Sequence, residues 1–160
     1  MGFWDFLRGA PPPLPSVDAL TFDLAGATLE ETSETMRGWL SEAKVATKLR
    51  LFSEPIDWPF DLRDPGPATA FYRAQCADNG GVMLSVDPIE IDGVEALRGL
   101  FKYRAPIPRS LALYYVGIFW IPFERCNFQI NVEAMERGNT GAREAAVMLL
   151  EGDRWPKPPG

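Results

Sequence analysis

The sequence predicts an α+β domain, a twisted antiparallel sheet of about six strands with two main helices packed against it. Three observations carry this prediction. Apolar and polar residues alternate along several segments between residues 35 and 135, which is the period of half-buried strands. Asp92-Gly93 separates two of these segments and is a strong signal for a two-residue hairpin. Two other segments change to the period of amphipathic helices.

The strands are expected over residues 35–40, 45–52, 82–91, 94–103, 111–121 and 127–135. The acidic stretch 17–34 is ambiguous, with a short strand around Leu20–Leu24 as one interpretation. One helix is expected over Ala68–Ala77, because Asn79-Gly80-Gly81 supplies residues that end a helix, and a second over Gly141–Leu150. We expect one apolar sheet face beneath the helices. The other face would carry polar side chains towards water, namely Arg98, Lys102, Gln129 and Asn131.

The chain of 160 residues is the right length for one domain with short appended ends. Residues 1–16 form an apolar N-terminal segment followed by a proline-rich spacer, because Pro11-Pro12-Pro13-Leu14-Pro15 favours an extended, stiff backbone. Residues 17–152 make up the α+β domain. Residues 153–160, with three prolines, form an extended tail.

Composition argues against several classes of function. The net charge of −6 disfavours general nucleic-acid binding, which needs a basic surface. The sequence contains no apolar stretch of the roughly 20 residues that cross a bilayer, although the apolar N-terminus leaves weak peripheral membrane contact open. Cys76 and Cys126 are too few for a disulfide framework and suggest buried thiols in a reducing cytoplasm, with a bridge between them left open.

The absence of histidine bears directly on catalysis. Histidine is the commonest general base and a frequent metal ligand, and this sequence has none. Carboxylate pairs such as Glu30-Glu31 lack the spacing of a calcium loop and are read as solvated charge. We therefore expect no catalytic residue, no cofactor and no metal site.

The first candidate site is the segment Glu136–Glu144. Its glycines permit a tight turn, Thr140 can cap the helix that follows, and free amides at a helix N-terminus attract anions. The structural alternative is a strand-to-helix connection closed by a pair between Glu136 and Arg143. The candidate anion- or ligand-binding residues are Glu136, Asn139, Thr140, Gly141 and Arg143.

The second candidate is a basic strip on one strand. Arg98, Lys102 and Arg104 share parity, so they point to the same sheet face, and Lys48 and Arg50 could lie nearby on another strand. Such a face could dock an acidic partner or a phosphorylated ligand, or it could be an ordinary solvated surface.

The third candidate is the N-terminal apolar group. Four large apolar residues ahead of a proline spacer could dock on a partner, or could fold back onto the domain. They are Phe3, Trp4, Phe6 and Leu7.

The sequence also resembles known proteins. The segment Glu136-Arg137-Gly138-Asn139-Thr140-Gly141-Ala142-Arg143-Glu144-Ala145, with Gly80-Gly81-Val82 and the Tyr115-x-Gly117 strand, resembles uncharacterised bacterial proteins, many of them actinobacterial, that carry an E-x-G-x-T-G-x-R-E segment. The order of strands and helices is similar to the Mog1/PsbP-like fold of binding and assembly proteins. Neither resemblance implies a catalytic residue.

These observations favour a non-enzymatic binding or interaction domain, cytoplasmic and of bacterial origin, with a protein partner. Two alternatives remain open. One is a small-molecule-binding or hydrolase-like enzyme that uses carboxylate and Arg residues near Glu136–Glu144. The other is a toxin-neutralising or secretion-accessory protein, suggested by small size and acidity. The sequence does not define the oligomeric state.

Overall fold

A computed structural model describes residues 13–24, 26–108 and 112–137. Their centre is one seven-stranded antiparallel sheet with the order β1-β2-β3-β7-β6-β5-β4. The strands are β1 (Ala27–Thr32), β2 (Met36–Ser41), β3 (Ala46–Phe52), β4 (Val82–Ile91), β5 (Val94–Arg104), β6 (Leu113–Pro122) and β7 (Asn127–Met135). The α+β class and the antiparallel sheet are therefore confirmed, with seven strands instead of six.

Two meanders make up the sheet. β1 to β3 form one and β4 to β7 the other, and the pairing of β3 with β7 joins them, with Leu49 opposite Ile130. The chain passes from β3 to the far edge through helix α1 (Pro65–Asp78). The hairpin predicted between β4 and β5 is present, and both of its turn residues, Asp92 and Gly93, have the positive φ that such turns require.

Helix α1 confirms the helix predicted over Ala68–Ala77 and begins three residues earlier. The Asp64 carboxylate accepts a hydrogen bond from the amide of Gly66, and proline is favoured in the first helical turn because its missing amide has no partner there. This helix is the one α-helix of the described residues. The second predicted helix, Gly141–Leu150, lies outside them.

The interpretation of Leu20–Leu24 as a strand was wrong. Residues 13–24, which we call the strap, cross one face of the sheet without joining its ladder. Val17 of the strap is fully buried among sheet side chains that include Leu49 and Phe128, and the ring of Phe22 packs edge-on against Trp39 at 5.5 Å. An ion pair of 2.7 Å between Asp18 and Arg37 fastens the strap to β2.

Two apolar clusters lie on opposite sides of the sheet. Under the strap, Leu49, Leu51, Ile121 and Phe128 form the first. Under α1, Leu97 and Phe101 form the second with Tyr72 of the helix. We call the two sides the strap face and the helix face. Cys126 belongs to the first cluster and Cys76 to the second, and both thiols are free and buried.

Both edges of the sheet are interrupted. The register shifts at a β-bulge in β1 between Leu29 and Glu31, and in β4 between Met83 and Ser85. β4 also contains Pro88, which has no amide to donate. Bulges and prolines at edge strands discourage the addition of a foreign strand.

Candidate functional site

The basic strip predicted on one strand lies on the strap face of β5. Arg98, Lys102 and Arg104 alternate with helix-face residues such as Phe101, which is buried beneath α1. Arg98 is paired with Asp87 of β4, with 3.2 Å between Nη2 and Oδ2, and both side chains are about half exposed. Leu100 lies between Arg98 and Lys102 on the same face and is 39% exposed.

Two of the four polar residues that were expected on one water-facing side of the sheet, Gln129 and Asn131, do not lie on the side of Arg98 and Lys102. Arg98 is opposite Phe119 of β6, and Phe119 is opposite Ile130 of β7. Gln129 and Asn131 flank Ile130 and therefore point to the helix face. Their expected placement beside Arg98 and Lys102 was wrong, because the register between strands sets which parity shares a face.

Lys48 and Arg50 also lie on the helix face, since they pair with Asn131 and Gln129 in β7. Lys48 is 3.5 Å from the carboxylate of Glu31. The sheet thus separates these two cations from the strip on β5.

An apolar surface flanks the basic strip. Tyr115, Gly117 and Phe119 of β6 alternate on the strap face, followed by Val132 and Ala134 of β7. These residues pair across the ladder with one another or with residues of β5 on the same face. We call this part of the strap face the open patch, formed by Arg98, Leu100, Lys102, Arg104, Tyr115, Gly117, Phe119, Val132 and Ala134.

Gly117 lies between Tyr115 and Phe119 in the open patch and has room for a side chain. A Cβ at this position would come no closer than 3.8 Å to another atom, the Cβ or carbonyl oxygen of Val132, which is ordinary contact. Packing within the described residues therefore does not require glycine here.

An apolar groove of about 270 Å³ adjoins the open patch. The strap residues Leu20 and Phe22 form one wall, and Phe119 and Val132 of the open patch form the other. Ile91, near the tip of the β4–β5 hairpin, closes one side. Thr21 and Thr47 are the two polar residues among ten that line the groove, and Thr47 is almost fully buried.

The Glu136–Glu144 candidate is described only at its first two residues. The amide of Glu136 donates to the carbonyl of Leu113 at 2.8 Å, which continues the ladder past the end of β7. Its Oε2 atom is buried and has no hydrogen-bond partner among the described residues. Asn139, Thr140, Gly141 and Arg143 lie outside the described residues, so the anion site and the pair between Glu136 and Arg143 stay predictions.

The N-terminal candidate also lies outside the described residues. Phe3, Trp4, Phe6 and Leu7 precede Pro13, the first described residue, and their role as partner-docking residues stays a prediction.

The raised pKa values belong to packed side chains. Burial raises the pKa of Tyr72 against a smaller opposite effect of its hydrogen bond from Trp58, and burial raises the pKa of Cys126 against the nearby charge of Arg125. Burial and a hydrogen bond with the Cys76 thiol raise the pKa of Tyr103 to about 12. All three groups lie in or against the two apolar clusters and none is in the open patch, so these shifts result from packing.

The described residues also lack groups of metal ligands and helices that could span a membrane. They contain no group of three or more carboxylate or thiol side chains that could hold a metal ion. Within the same ranges, no helix is long and apolar enough to cross a membrane.

Comparison with known proteins defines the class of fold. No protein-family model matches the sequence, and no curated protein matches it. The structure is similar to that of a point mutant of the protein Mog1, with a TM-score of 0.51 and 15% identity, over 80% of this chain and 76% of that one. It is also similar to the Ran-binding protein Mog1p of Saccharomyces cerevisiae with a TM-score of 0.50 and 15% identity, over 79% of this chain and 74% of that one.

The chain therefore has a Mog1/PsbP-like fold, as its order of elements predicted. At 15% identity the similarity establishes the fold alone. The resemblance of residues 136–145 to uncharacterised bacterial proteins has no support from these comparisons and stays a prediction.

Proposed function

We propose that this chain is a non-enzymatic protein-interaction domain that binds an acidic protein segment through the open patch. The observation that carries the proposal is the placement of three cations, Arg98, Lys102 and Arg104, beside half-buried apolar side chains of β6 and β7. Asp87 is a carboxylate that pairs with this strip, through Arg98.

Charge contrast favours an acidic partner. The chain as a whole has a net charge of −6, so an acidic protein is repelled by most of its surface. The open patch is locally basic and attracts the same protein. Complementary charge against a repulsive background sets the orientation of docking and raises the association rate.

The apolar part of the patch supplies the contact area. Tyr115 and Phe119 are half-buried in the isolated chain, and aromatic side chains in this position are typical anchors of interfaces. An acidic segment with one apolar anchor therefore matches both components of the surface.

The sheet edges fit a partner less well than the face does. Both edge strands carry bulges, and β4 contains Pro88, so a partner strand would meet an irregular ladder. The fold comparison supports protein binding in general, because one similar structure is of a Ran-binding protein. The two free thiols favour a reducing compartment such as a cytoplasm.

The decisive experiment compares charge reversal inside and outside the open patch. The test variant is Lys102→Glu with Arg104→Glu, and the matched control is Lys44→Glu with Arg50→Glu, which makes the same charge change away from the open patch. We expect the test variant to weaken partner binding at least about tenfold at low salt. Charges at the rim of an interface act mainly on the association rate, and salt screens them. The control variant should bind within about twofold of the parent chain.

A photo-crosslinker identifies the partner surface. Benzoylphenylalanine at Tyr115 should crosslink to a protein in a lysate of the source cells, and the same group at Phe71 on α1 should not. Mass spectrometry of the product should place the crosslink within an acidic segment. Equal loss of binding in both charge variants, or a crosslink to a basic segment, would contradict the proposal.

A further inference from the structure

The groove beside the open patch has a polarity that limits its ligands. Its lining includes Leu20, Phe22, Ile91, Phe119, Ile130 and Val132, and the polar exceptions are two threonines. A ligand with several hydrogen-bonding groups would lose its contacts with water there and regain few. An unbranched hydrocarbon has no hydrogen bonds with water to lose on entering.

The volume of the groove sets the length of such a chain. A methylene group fills about the same space as a water molecule, whose share of the liquid is about 30 Å³. The groove volume of about 270 Å³ is therefore comparable to the volume of about nine methylene groups.

A cation lies beside the groove wall. Arg98 is directly opposite Phe119 in the ladder and points to the same face, so its guanidinium begins one strand away from the lining. Asp87 accepts from Nη2 of this guanidinium, which carries five N–H donors in all. Asp87 is on the β4 side of Arg98 and Phe119 is on the β6 side, and the remaining N–H donors give Arg98 the capacity to bind a second carboxylate.

We propose that the groove binds a medium-chain fatty-acid anion, with its hydrocarbon chain between the strap and Val132 and its carboxylate at Arg98. This site shares Arg98, Phe119 and Val132 with the open patch, but it requires neither Lys102 nor Arg104, so variants at those two residues separate it from the proposed function.

A chain-length series tests the fit. Calorimetric titration of the full chain with hexanoate, octanoate, decanoate and dodecanoate should show affinity rising about fourfold for each added methylene. The rise should stop near ten carbons, where the groove is full. An affinity that rises without a limit would indicate adsorption on an apolar surface and would overturn the proposal, as would no binding by decanoate.

Amide shifts in NMR spectra locate the ligand. Saturating decanoate should move the resonances of residues 20–22 and 130–132, with smaller changes in α1. Changes centred instead on residues 123–126, near a second apolar cavity lined by Phe123 and Pro13, would place the ligand elsewhere and contradict the assignment.

Four variants separate the roles of chain and charge. Arg98→Gln should weaken decanoate binding about tenfold and leave the affinity for 1-decanol unchanged. Asp87→Asn should strengthen decanoate binding, because it removes a repelling carboxylate and a competitor for Arg98. Val132→Phe fills the groove and should abolish binding of both ligands, whereas Leu100→Phe adds similar bulk outside it and should not.

Decanol binding as tight as decanoate in the parent chain would overturn the carboxylate assignment. Loss of binding in Leu100→Phe equal to that in Val132→Phe would overturn the groove. A melting curve for each variant identifies any loss that comes from unfolding. Failure of decanoate to bind, together with intact crosslinking at position 115, would sink this inference and leave the proposed function standing.

Discussion

Beneath α1, Tyr72 stacks on Trp120 with ring centroids 4.6 Å apart, whereas on the other side of the same strands Leu100 is 39% exposed and packs under no helix of the described chain. Both regions are built from β5 and β6, so their backbone and their neighbours in sequence are the same. The difference lies in what covers them. Among the described residues, one face is closed by a helix, and the other is closed by the strap only at one end.

The helix face is an aromatic core with a polar anchor. Tyr72 also contacts Phe60 and Phe101, and its hydroxyl accepts a hydrogen bond of 2.9 Å from the indole of Trp58. Buried aromatic clusters of this kind contribute both apolar burial and specific ring geometry.

The open patch combines apolar side chains with charge. Phe119 lies opposite Arg98, and Tyr115 lies opposite Lys102. Exposed apolar surface bordered by charged residues is typical of interaction sites. The comparison therefore distinguishes residues that hold the fold from residues that are available for binding, and three further predictions test that distinction.

The largest effect is expected for loss of an aromatic ring on the helix face. Tyr72→Ala should lower the free energy of unfolding by about 3–5 kcal/mol, because it leaves a cavity against Trp120 and removes the acceptor of Trp58. Phe119→Ala on the open patch should cost less than about 1.5 kcal/mol, since that ring is only half-buried. Urea denaturation followed by tryptophan fluorescence measures both.

Tyr72→Phe is the control for the ring itself and should cost about 1 kcal/mol, the contribution of one hydrogen bond. Equal destabilisation by Tyr72→Ala and Phe119→Ala would show that the open patch is covered as tightly as the helix face.

A smaller contrast is expected at two glycines. An added Cβ at Gly99, on the helix face, would lie 2.5 Å from the ring of Phe101 and 2.9 Å from Trp120. Gly99→Ala should therefore destabilise by about 1–3 kcal/mol through overpacking. Gly117→Ala, on the open patch, meets nothing closer than 3.8 Å and should change stability by at most about 0.5 kcal/mol.

Thermal melts of the two alanine variants under identical conditions measure this difference. A melting temperature for Gly117→Ala as low as that for Gly99→Ala would mean that the space next to Gly117 is already filled.

The sequence predicted what depends on local signals. Asp92-Gly93 specified a hairpin through its own turn preference, and the helix predicted over Ala68–Ala77 followed from its period and from the residues that end it. Arg98, Lys102 and Arg104 were placed on one face correctly because they belong to one strand, whose alternation is fixed by the backbone.

Features that depend on pairing between distant strands were not predictable in this way. Lys48 and Arg98 each follow a clear alternation, but only the β3–β7, β7–β6 and β6–β5 registers show that they point to opposite faces. β1 was missed because five of its six residues are exposed, so it has little apolar pattern.

The groove could not be predicted from the sequence either, because it depends on contacts between segments that are distant in the chain. It requires the strap, the tip of the β4–β5 hairpin and the three strands β3, β6 and β7 to meet, and of these only β6 and β7 are neighbours in the chain. Leu20–Leu24 has the composition of a strand, and only the absence of ladder pairing in the structure distinguishes it from one.

The smallest effect concerns the pH dependence of stability on the helix face. Burial and the Cys76 thiol raise the pKa of Tyr103 to about 12, above the value of about 10 for an unfolded chain. The folded state thus favours the protonated phenol, and this contribution to stability is complete below about pH 10. It is lost as the pH rises from about 10 to 12, because the phenol then ionises more readily in the unfolded chain than in the folded one.

Tyr103→Phe removes this group, so its free energy of unfolding should fall less steeply with pH across that range than that of the parent chain. Urea denaturation at half-unit steps from about pH 9 to 12 measures the slopes. Tyr115→Phe removes a hydroxyl from the open patch and is the matched control. The slope of the free energy of unfolding against pH in Tyr103→Phe could equal that of the parent chain, or both variants could flatten it equally. Either result would mean that the hydroxyl of Tyr103 is exposed to water, and that the helix face is not enclosed at this end of β5.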